Sequence, residues 1–260
     1  MTDGFRLRKW YFDVVSVDGH ASIGYVAHVT WGPTSLRYAS VLDGSRSRAT
    51  LFGATDPDVR EGQLRWACPA LRAGATLVAR AGAPPLPELR VLDVAGEGTI
   101  DWSCFLPSAD ACFDADGARV VGLGYGELLT MTLAPWKLPW RELRWGRFVS
   151  ENVHLVWIDT RSDADAGSTW VFENGVRLEG ARVSEVAIGG PGGVRLGIAA
   201  GVVLREGRLG DTVLNLVPEA SSVFPSRVLG LYECKWRSLG HHLPSGERGW
   251  VIHEVVRWPS

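Results

Sequence analysis

Hydrophobic residues occupy every second position over several long stretches of the chain. In the first stretch, Trp10, Phe12 and Val14 share one face, and the next stretch, residues 21–31, again carries apolar side chains on one face. A period of two is typical of a β-strand with two unlike faces. The later stretches with this pattern are 176–188, 194–204, 212–217, 228–236 and 250–258. We therefore predict strands along most of the chain.

No segment of helical length carries an apolar stripe with a period of 3.6 residues. Residues 67–80 come nearest, but Pro69 and Gly74 interrupt them. Four dipeptides that tolerate positive φ mark turns between the strand-like runs. They are Asp18-Gly19, Asp43-Gly44, Asp116-Gly117 and Asn174-Gly175. We expect type I′ hairpins there and an antiparallel β-barrel or sandwich, because long meanders must close or stack to cover their edges.

The composition supports an all-β fold and suggests two domains. The 260 residues include 31 Gly, 14 Pro and 12 Trp, which favours many short strands over long helices. Pro135 and Pro139 interrupt the pattern near the middle of the chain, and a central strand does not accommodate them. We predict an N-terminal β-domain over 1–134 and a C-terminal β-barrel domain over 135–260.

Charge, cysteine usage and hydropathy limit the partners of the protein. The chain has 27 Lys and Arg against 29 Asp and Glu, so it lacks the basic excess of a nucleic-acid-binding protein. Its longest apolar stretch, residues 196–204, is too short to cross a bilayer, which leaves peripheral membrane contact open. The four cysteines have neither metal-binding nor disulfide spacing, and no signal-peptide pattern precedes the first strand. We expect a cytoplasmic protein without a metal site.

Four ionisable residues lie on faces that are otherwise apolar: Glu127, Arg147, Asp159 and Glu254. Burial of an ionised side chain is costly unless it is paired or solvated. One interpretation is a buried ion pair between Glu127 and Arg147 that fixes how strands meet. Another is that a carboxyl group is held protonated among indoles and acts as a general acid. A solvent-facing position is the third, and Asp159 and Glu254 taken singly favour a structural or exposed role.

Tryptophans are concentrated in the same part of the chain. Trp136, Trp140 and Trp145 lie close together, and Trp157 follows on the face that carries Asp159. Core packing is the default role of such residues. The alternative is an aromatic wall around a large apolar ligand, where the rings would stabilise positive charge through cation–π contacts.

Motifs of cofactor-dependent and hydrolytic enzymes are missing from the sequence. We find no GxSxG elbow, no HExxH helix, no EF-hand loop and no GxGxxG followed by a helix. The glycine-rich block 122–126 is flanked by strand pattern on both sides, so it does not predict a nucleotide site. Two kinds of function therefore remain for this sequence: catalysis without a cofactor, or ligand binding without catalysis.

Three blocks of the sequence are similar to one protein family. Residues 8–13 read Arg-Lys-Trp-Tyr-Phe-Asp, and residues 249–254 read Gly-Trp-Val-Ile-His-Glu. The central block joins Gly-Leu-Gly-Tyr-Gly-Glu at 122–127 with Pro135-Trp136 and with Leu-Arg-Trp-Gly-Arg-Phe at 143–148. Together the blocks resemble the lipocalin-like family that includes carotenoid 1,2-hydratase (hydroxyneurosporene synthase), which is related to tocopherol cyclase and fungal Diels–Alderases.

The resemblance implies two lipocalin-like antiparallel β-barrels or sandwiches packed together, with a ligand cavity. It also implies activity on polyenes or isoprenoids without a metal or redox cofactor. In the hydratases the acidic residue of the Gly-Tyr-x-acid block is a proton donor to the alkene. That residue is Glu127 here, in place of the family's usual Asp.

We therefore predict a cofactor-free enzyme that hydrates or cyclises an alkene in a hydrophobic terpenoid or polyene, by protonation or by holding the substrate for a pericyclic reaction. Glu127, Arg147 and Asp159 are the predicted catalytic residues. The predicted substrate contacts are Tyr25, Tyr125, Trp136, Trp140, Trp145, Trp157 and Glu254. The alternative is a non-catalytic carrier of a hydrophobic molecule. The substrate and the oligomeric state stay open.

Overall fold

The protein is built almost entirely from antiparallel strands. The computed structural model describes residues 4–162, 167–217 and 224–259. Strands make up 63% and helices 7% of the structure, and within the described residues the strands form two sheets of ten. The predicted all-β, lipocalin-like fold class is therefore confirmed.

The first sheet contains β1 to β10 in the spatial order β4-β3-β2-β1-β10-β9-β7-β6-β5, with β8 also paired to β9. The strands are β1 (Arg6–Ser16), β2 (Ala21–Trp31), β3 (Thr34–Asp43), β4 (Arg46–Thr50), β5 (Asp58–Arg60), β6 (Gln63–Cys68), β7 (Ala73–Ala79), β8 (Leu89–Val94), β9 (Gly98–Ala115) and β10 (Ala118–Met131). The last strand pairs with the first, so β1 lies in the middle of the sheet.

The second sheet repeats this order as β14-β13-β12-β11-β20-β19-β17-β16-β15, with β18 paired to β19. Its strands are β11 (Glu142–Val149), β12 (His154–Arg161), β13 (Ser168–Glu173), β14 (Val176–Arg177), β15 (Arg182–Val183), β16 (Ala187–Gly190), β17 (Gly193–Ile198), β18 (Val202–Arg208), β19 (Tyr232–His242) and β20 (Arg248–Arg257). Each sheet is thus one copy of the same ten-strand topology.

The chain divides into two compact units. One comprises Met1–Leu138 with Val213–Pro225, and the other comprises Pro139–Thr212 with Ser226–Ser260. The proline-rich segment near the middle of the chain contains a 3₁₀ turn, Pro135–Lys137, and no strand. Pro135 starts this turn because its fixed φ suits the first helical position and its missing N–H costs nothing there.

The described helices are short, and two of them occupy a stretch that the sequence predicted to be a strand. Besides Pro135–Lys137, the helical segments are Pro69–Leu71, Leu209–Thr212, Leu214–Leu216 and Ser226–Leu229. The strand predicted over 212–217 was therefore wrong, and β19 begins at Tyr232 rather than at 228. An apolar run of this length does not distinguish a strand from a helical turn, and tertiary contacts decide between them.

Only two of the four predicted type I′ turns are present. Asp116-Gly117 and Asn174-Gly175 have positive φ at both residues, as this turn requires. At Asp18-Gly19 and Asp43-Gly44 only the glycine has positive φ, so the prediction was wrong there. The β1–β2 loop is longer: the Gly19 N–H donates to the Ser16 carbonyl at 2.9 Å, and the Ser16 hydroxyl donates to the Asp18 carboxylate at 2.5 Å.

The core of the first unit lies on one face of its sheet. Trp10, Phe12 and Val14 of β1 are buried there with apolar residues of the neighbouring strands. The Phe12 ring lies across Gly24, its partner on β2. A Cβ atom at position 24 would come within 2.2 Å of the ring, so glycine makes room for the aromatic side chain.

The core of the second unit uses the same arrangement with the two strands exchanged. Phe148 of β11 is buried with Leu155 and Trp157 of β12. Here the glycine is on the first strand, because Gly146 pairs with Trp157 and a Cβ at position 146 would lie 2.2 Å from the indole. In both units, a large ring over a glycine packs the first hairpin against the core.

Substituting Gly146 by alanine should destabilise the protein. The added methyl group would overlap the Trp157 ring, and overpacking of a buried site typically costs about 1–3 kcal/mol in free energy of unfolding. Gly197 of β17 is the matched control, since its nearest atom would be 4.0 Å from an added Cβ. Urea denaturation monitored by tryptophan fluorescence measures both. Equal unfolding midpoints for Gly146→Ala and Gly197→Ala would contradict this packing.

Candidate functional site

The face of the first sheet opposite its core carries polar side chains that are nonetheless buried. Tyr11 and Asp13 of β1 lie opposite Glu127 and Tyr125 of β10, respectively. All four are at most 9% exposed. We call these four residues the tyrosine–carboxyl cluster. Because β1 and β10 are central strands, the backbone positions of the cluster are fixed by the ladder on both sides.

The Glu127 carboxyl group is held by two neutral donors. The Trp102 indole N–H donates to Oε2 at 2.5 Å, and the Tyr125 hydroxyl donates to the same oxygen at 2.7 Å. Trp102 reaches this oxygen from β9, where Cys104 is the residue directly paired with Glu127. Donors at one oxygen fix the orientation of the carboxyl plane and stabilise negative charge on the group.

Burial keeps the neighbouring groups of Glu127 protonated. The pKa of the Tyr125 hydroxyl is raised well above its usual range, first because the group is desolvated and then by the nearby negative charges. Desolvation also raises the pKa of the Cys104 thiol well above its usual range, and the charge of Glu127 adds to this. Tyr125 therefore remains a hydrogen-bond donor at neutral pH and does not become a competing anion.

Asp13 repeats the arrangement on the neighbouring strand. Its side chain is fully buried, and the Tyr11 hydroxyl donates to Oδ2 at 2.7 Å. The Tyr11 ring meets the Tyr25 ring edge-on with centroids 5.3 Å apart, and its centroid is 6.0 Å from that of Tyr125. The cluster is thus lined by three tyrosines, and Lys9 Nζ lies 5.4 Å from the Tyr25 ring centroid.

The second unit has an ion pair at the corresponding place. Glu254 of β20 lies opposite Trp145 of β11 on one side and Lys235 of β19 on the other. Lys235 is fully buried, donates from Nζ to Glu254 Oε2, and sits 5.2 Å from the Trp145 ring centroid. Glu254 is therefore paired with an ammonium group.

Arg147 and Asp159 lie in the second unit, on β11 and β12. Arg147 is fully buried and donates from Nη1 to the Trp250 carbonyl at 2.9 Å. Asp159 accepts from Arg161 Nε at 3.0 Å and from the Thr169 hydroxyl at 2.6 Å. Asp159 thus takes part in a local ion pair. The proposed roles of Arg147 and Asp159 in catalysis stay predictions.

The remaining predicted aromatic contacts are spread over several places. Trp136 is half-buried against Phe5 and Trp31 in the first unit. Trp140 meets Trp258 edge-on in the second unit, with ring centroids 5.8 Å apart. Trp157 belongs to the core, on the face opposite Trp145, because Trp145 pairs with its neighbour Ile158. Of the predicted substrate contacts, Tyr25 and Tyr125 are the two that lie around Glu127.

Two buried histidines of the second unit are neutral. Burial lowers the pKa of His154 to about 4, and burial with the nearby Lys235 charge lowers the pKa of His253 to about 4. His253 Nε2 is 3.0 Å from the Ser238 hydroxyl, and its ring stacks on Trp236. Within the described residues, His154 Nε2 has no hydrogen-bond partner.

A serine, a histidine and a glutamate also lie in line near the β19–β20 turn. The Ser245 hydroxyl is 2.8 Å from His242 Nδ1, and His242 Nε2 is 3.3 Å from Glu173 Oε1. Ser245 Oγ also accepts the backbone N–H of Glu247 at 3.3 Å, and Glu173 is bound by the Arg195 guanidinium. Through these contacts the three side chains support the β19–β20 turn.

Neither a metal cluster nor a long apolar helix is found in the described part of the chain. No group of three or more His, Cys, Asp or Glu side chains there has the geometry to hold a metal ion. No helix of residues 4–162, 167–217 and 224–259 has the length and hydropathy needed to cross a bilayer.

Sequence reasoning identified Glu127 and Tyr125 but missed Tyr11, Asp13, Trp102 and Lys235. One signal was available: Tyr11-Phe12-Asp13 repeats the Tyr-x-acid pattern of Tyr125-Gly126-Glu127. A second signal was Lys235, a charged residue between Cys234 and Trp236 within the strand-like stretch 228–236. Trp102 carried no such signal, because its contact with Glu127 depends on the pairing of β9 with β10.

This protein is similar to known proteins in structure only. No protein-family model and no curated protein matches the chain significantly. Among solved structures, an AttH-type protein from Nitrosomonas europaea has a TM-score of 0.56 at 13% identity, with 96% of this chain and 92% of that one covered.

Two further structures are similar over nearly the whole chain. The Diels–Alderase CghA superposes with a TM-score of 0.54 at 11% identity, covering 98% of this chain and 88% of its own. Kievitone hydratase from Nectria haematococca gives 0.51 at 12% identity, with coverage of 98% and 89%. At these identities the comparisons establish a shared lipocalin-like fold.

The neutral state of His154 predicts a loss of stability in mild acid. The unfolded chain takes up a proton on this histidine below about pH 6.5, while the folded protein resists it down to about pH 4. The stability contributed by neutral His154 is therefore complete above about pH 6.5 and is lost as the pH falls toward 4. Between pH 7.5 and pH 5 this amounts to about 2 kcal/mol.

The variant His154→Leu should therefore show a smaller change in free energy of unfolding between pH 7.5 and pH 5 than the unsubstituted protein. Urea denaturation at the two pH values measures the change. Val156→Ala is the control, because Val156 is buried on the same face of β12 and does not titrate. This substitution should lower the free energy of unfolding by the same amount at both pH values. An unchanged pH dependence in His154→Leu would contradict the buried neutral histidine.

Proposed function

We propose that the protein is an enzyme that adds water to an alkene, or cyclises it, in a hydrophobic polyene or isoprenoid, with Glu127 as the proton donor. The observation that carries the proposal is the buried Glu127 carboxyl group, oriented by the Trp102 indole and the Tyr125 hydroxyl on one oxygen. A buried carboxyl group that hydrogen bonds hold in one orientation is suited to proton transfer.

The hydrogen bonds to Glu127 Oε2 prepare the carboxyl group to lose a proton. As the proton leaves, negative charge develops on the carboxyl group, and the Trp102 and Tyr125 donors stabilise it without reorganising. Protonation of an alkene by a carboxylic acid requires no metal or redox group.

The aromatic rings of the first unit are placed to stabilise the cation that protonation creates. Tyr11, Tyr25 and Tyr125 are buried around the cluster, and the faces of such rings attract positive charge. Water or a second alkene of the substrate would then quench the cation. Two sets of predicted roles stay predictions: catalysis by Arg147 and Asp159, and substrate contact by Trp136, Trp140, Trp145, Trp157 and Glu254.

The structural neighbours support this reaction class at a general level, since they include a hydratase and a Diels–Alderase. The Diels–Alderase also supports a pericyclic variant, in which the protein holds the substrate folded and hydrogen bonds polarise it. The resemblance of residues 122–127 to the carotenoid hydratases supports the protonation route, with Glu127 at the position of the proton donor. The two routes differ in whether a solvent proton enters the product.

Incubation in D₂O separates these routes. The protein is mixed with farnesol, with geranylgeraniol and with a lipid extract of the source cell, and products are analysed by mass spectrometry. We expect a hydrated or cyclised product that carries one carbon-bound deuterium. An isomer without deuterium would contradict protonation and support the pericyclic route, and release of unchanged bound molecules from the extract would support a carrier.

The variant Glu127→Gln should lower the rate of product formation by at least about 100-fold, because the amide keeps the shape of the side chain but cannot deliver the proton. Glu97→Gln is the matched control: Glu97 is an exposed glutamate of the same unit, paired with Lys137, and its substitution should leave the rate unchanged. Turnover by Glu127→Gln at the unsubstituted rate would contradict the proposed role of Glu127.

A further inference from the structure

The face of the first sheet that carries the tyrosine–carboxyl cluster also carries an ammonium group. Lys9 of β1 precedes Tyr11 by two residues and therefore lies on the same face of the strand. It pairs with Leu129 of β10 and with Ala27 of β2. Its Nζ atom lies 5.4 Å from the Tyr25 ring centroid. Lys9 is thus a cation beside the candidate site, and proton donation does not explain its presence there.

The contacts of Lys9 differ from those of the other lysines. Lys137 and Lys235 each form an ion pair with a glutamate. In the part of the chain that the structure describes, Lys9 forms no ion pair, and its contact is the one with the Tyr25 ring. An aromatic ring attracts an ammonium group but carries no net charge. The charge of Lys9 therefore stays available to a ligand.

Lys9 lies where the cluster face becomes accessible to solvent. It belongs to a row of half-buried residues that crosses four strands, whereas the next row, which contains Glu127, is buried. The half-buried row consists of Leu129, Lys9, Ala27 and Tyr38, and the buried row consists of Cys104, Glu127, Tyr11, Tyr25 and Ser40. The ammonium group is therefore at the accessible border of the cluster.

Aromatic rings connect this border to the acid. The Tyr25 ring meets the Tyr11 ring edge-on with centroids 5.3 Å apart, and the Tyr11 centroid is 6.0 Å from that of Tyr125. The Tyr125 hydroxyl donates to Glu127. The rings thus provide apolar surface between a cation at the border and a carboxyl group in the interior. Such a surface matches a molecule with an anion at one end and an apolar chain behind it.

The charge of Lys9 opposes the proposed chemistry unless an anion cancels it. A positive charge on the face of Glu127 favours the carboxylate over the carboxylic acid that must donate the proton. It also repels the cation that forms when the alkene is protonated. An anionic group bound to Lys9 removes both effects. A substrate that carries this group supplies it whenever the reaction takes place.

We infer that Lys9 binds an anionic head group of the isoprenoid or polyene substrate, a phosphate or a carboxylate, and so selects anionic over neutral molecules. The inference rests on the proposed function. The ammonium group donates hydrogen bonds to the head-group oxygens, while the chain lies over the tyrosine rings toward Glu127. The head group itself does not react, and all its bonds stay intact.

Ligands with one isoprenoid chain and different head groups test this role. They are geranylgeranyl diphosphate, geranylgeranoic acid and geranylgeraniol, and binding is measured by the quenching of tryptophan fluorescence. The unsubstituted protein should bind at least one anionic ligand at least about 10-fold more tightly than the alcohol, because an ammonium–anion contact is strong where water is partly excluded. Lys9→Met should abolish this preference without changing the affinity for the alcohol. The anion that loses affinity identifies the head group.

Two control variants make the result specific to the charge at position 9. Lys9→Arg keeps a positive charge there and should keep the preference for the anion. Lys137→Met removes a lysine of the same unit that is paired with Glu97, and it should behave like the unsubstituted protein. The inference would be overturned by an equal preference in Lys9→Met and the unsubstituted protein, or by an unsubstituted protein that does not prefer either anion.

Incubation of the same ligands in D₂O distinguishes this inference from the proposed function. With the preferred anion as substrate, Lys9→Met should lower kcat/KM by at least about 10-fold, mainly through a higher KM. Deuterated product formed with equal kcat/KM in both proteins would overturn the role of Lys9 and leave Glu127 as the proton donor. Binding of the anion that depends on Lys9, without any deuterated product, would overturn the proposed function and leave Lys9 as the head-group contact of a carrier.

Discussion

The pairing of the last strand of each sheet with the first determines most of what this protein can do. In the first unit, the β1–β10 ladder brings residues 11–13 together with residues 125–127, which are far apart in the chain. Both strands are central and buried on both faces, so a polar side chain on the second face needs hydrogen-bond donors that replace water. Tyr11, Tyr125 and Trp102 supply those donors, and the carboxyl groups become rigid parts of the fold.

The second unit shows what the same topology does with different side chains. Glu254 lies on the last strand opposite an aromatic residue of the first strand, as Glu127 does. On the other side, Glu254 faces Lys235, whereas Glu127 faces Cys104. Lys235 donates to Glu254, whereas Trp102 and Tyr125 donate to Glu127. The two sheets thus carry a glutamate at equivalent positions of their last strands, with different cross-strand partners.

The sequence was a good guide wherever a local pattern decides the structure. The period of two predicted the strands around Trp10 and Val29, and Asn174-Gly175 predicted a type I′ turn, because both depend on neighbouring residues only. The same reasoning failed at Asp18-Gly19, where Ser16 competes for the turn hydrogen bonds. It also failed at 212–217, where a short apolar run is compatible with either helix or strand.

By itself, the sequence determined the fold class and showed that Glu127, Arg147, Asp159 and Glu254 are ionisable residues in strand-like apolar runs. The domain division near Pro135 and Pro139 stays a prediction. What each of these side chains contacts was decided only by tertiary structure. Trp102 and Lys235 reach their partners across strands whose register no local pattern encodes, and Trp145 and Trp157 lie on opposite faces of their sheet. A charge on an apolar face can be read from the chain, but its chemistry depends on the neighbour that the sheet brings to it.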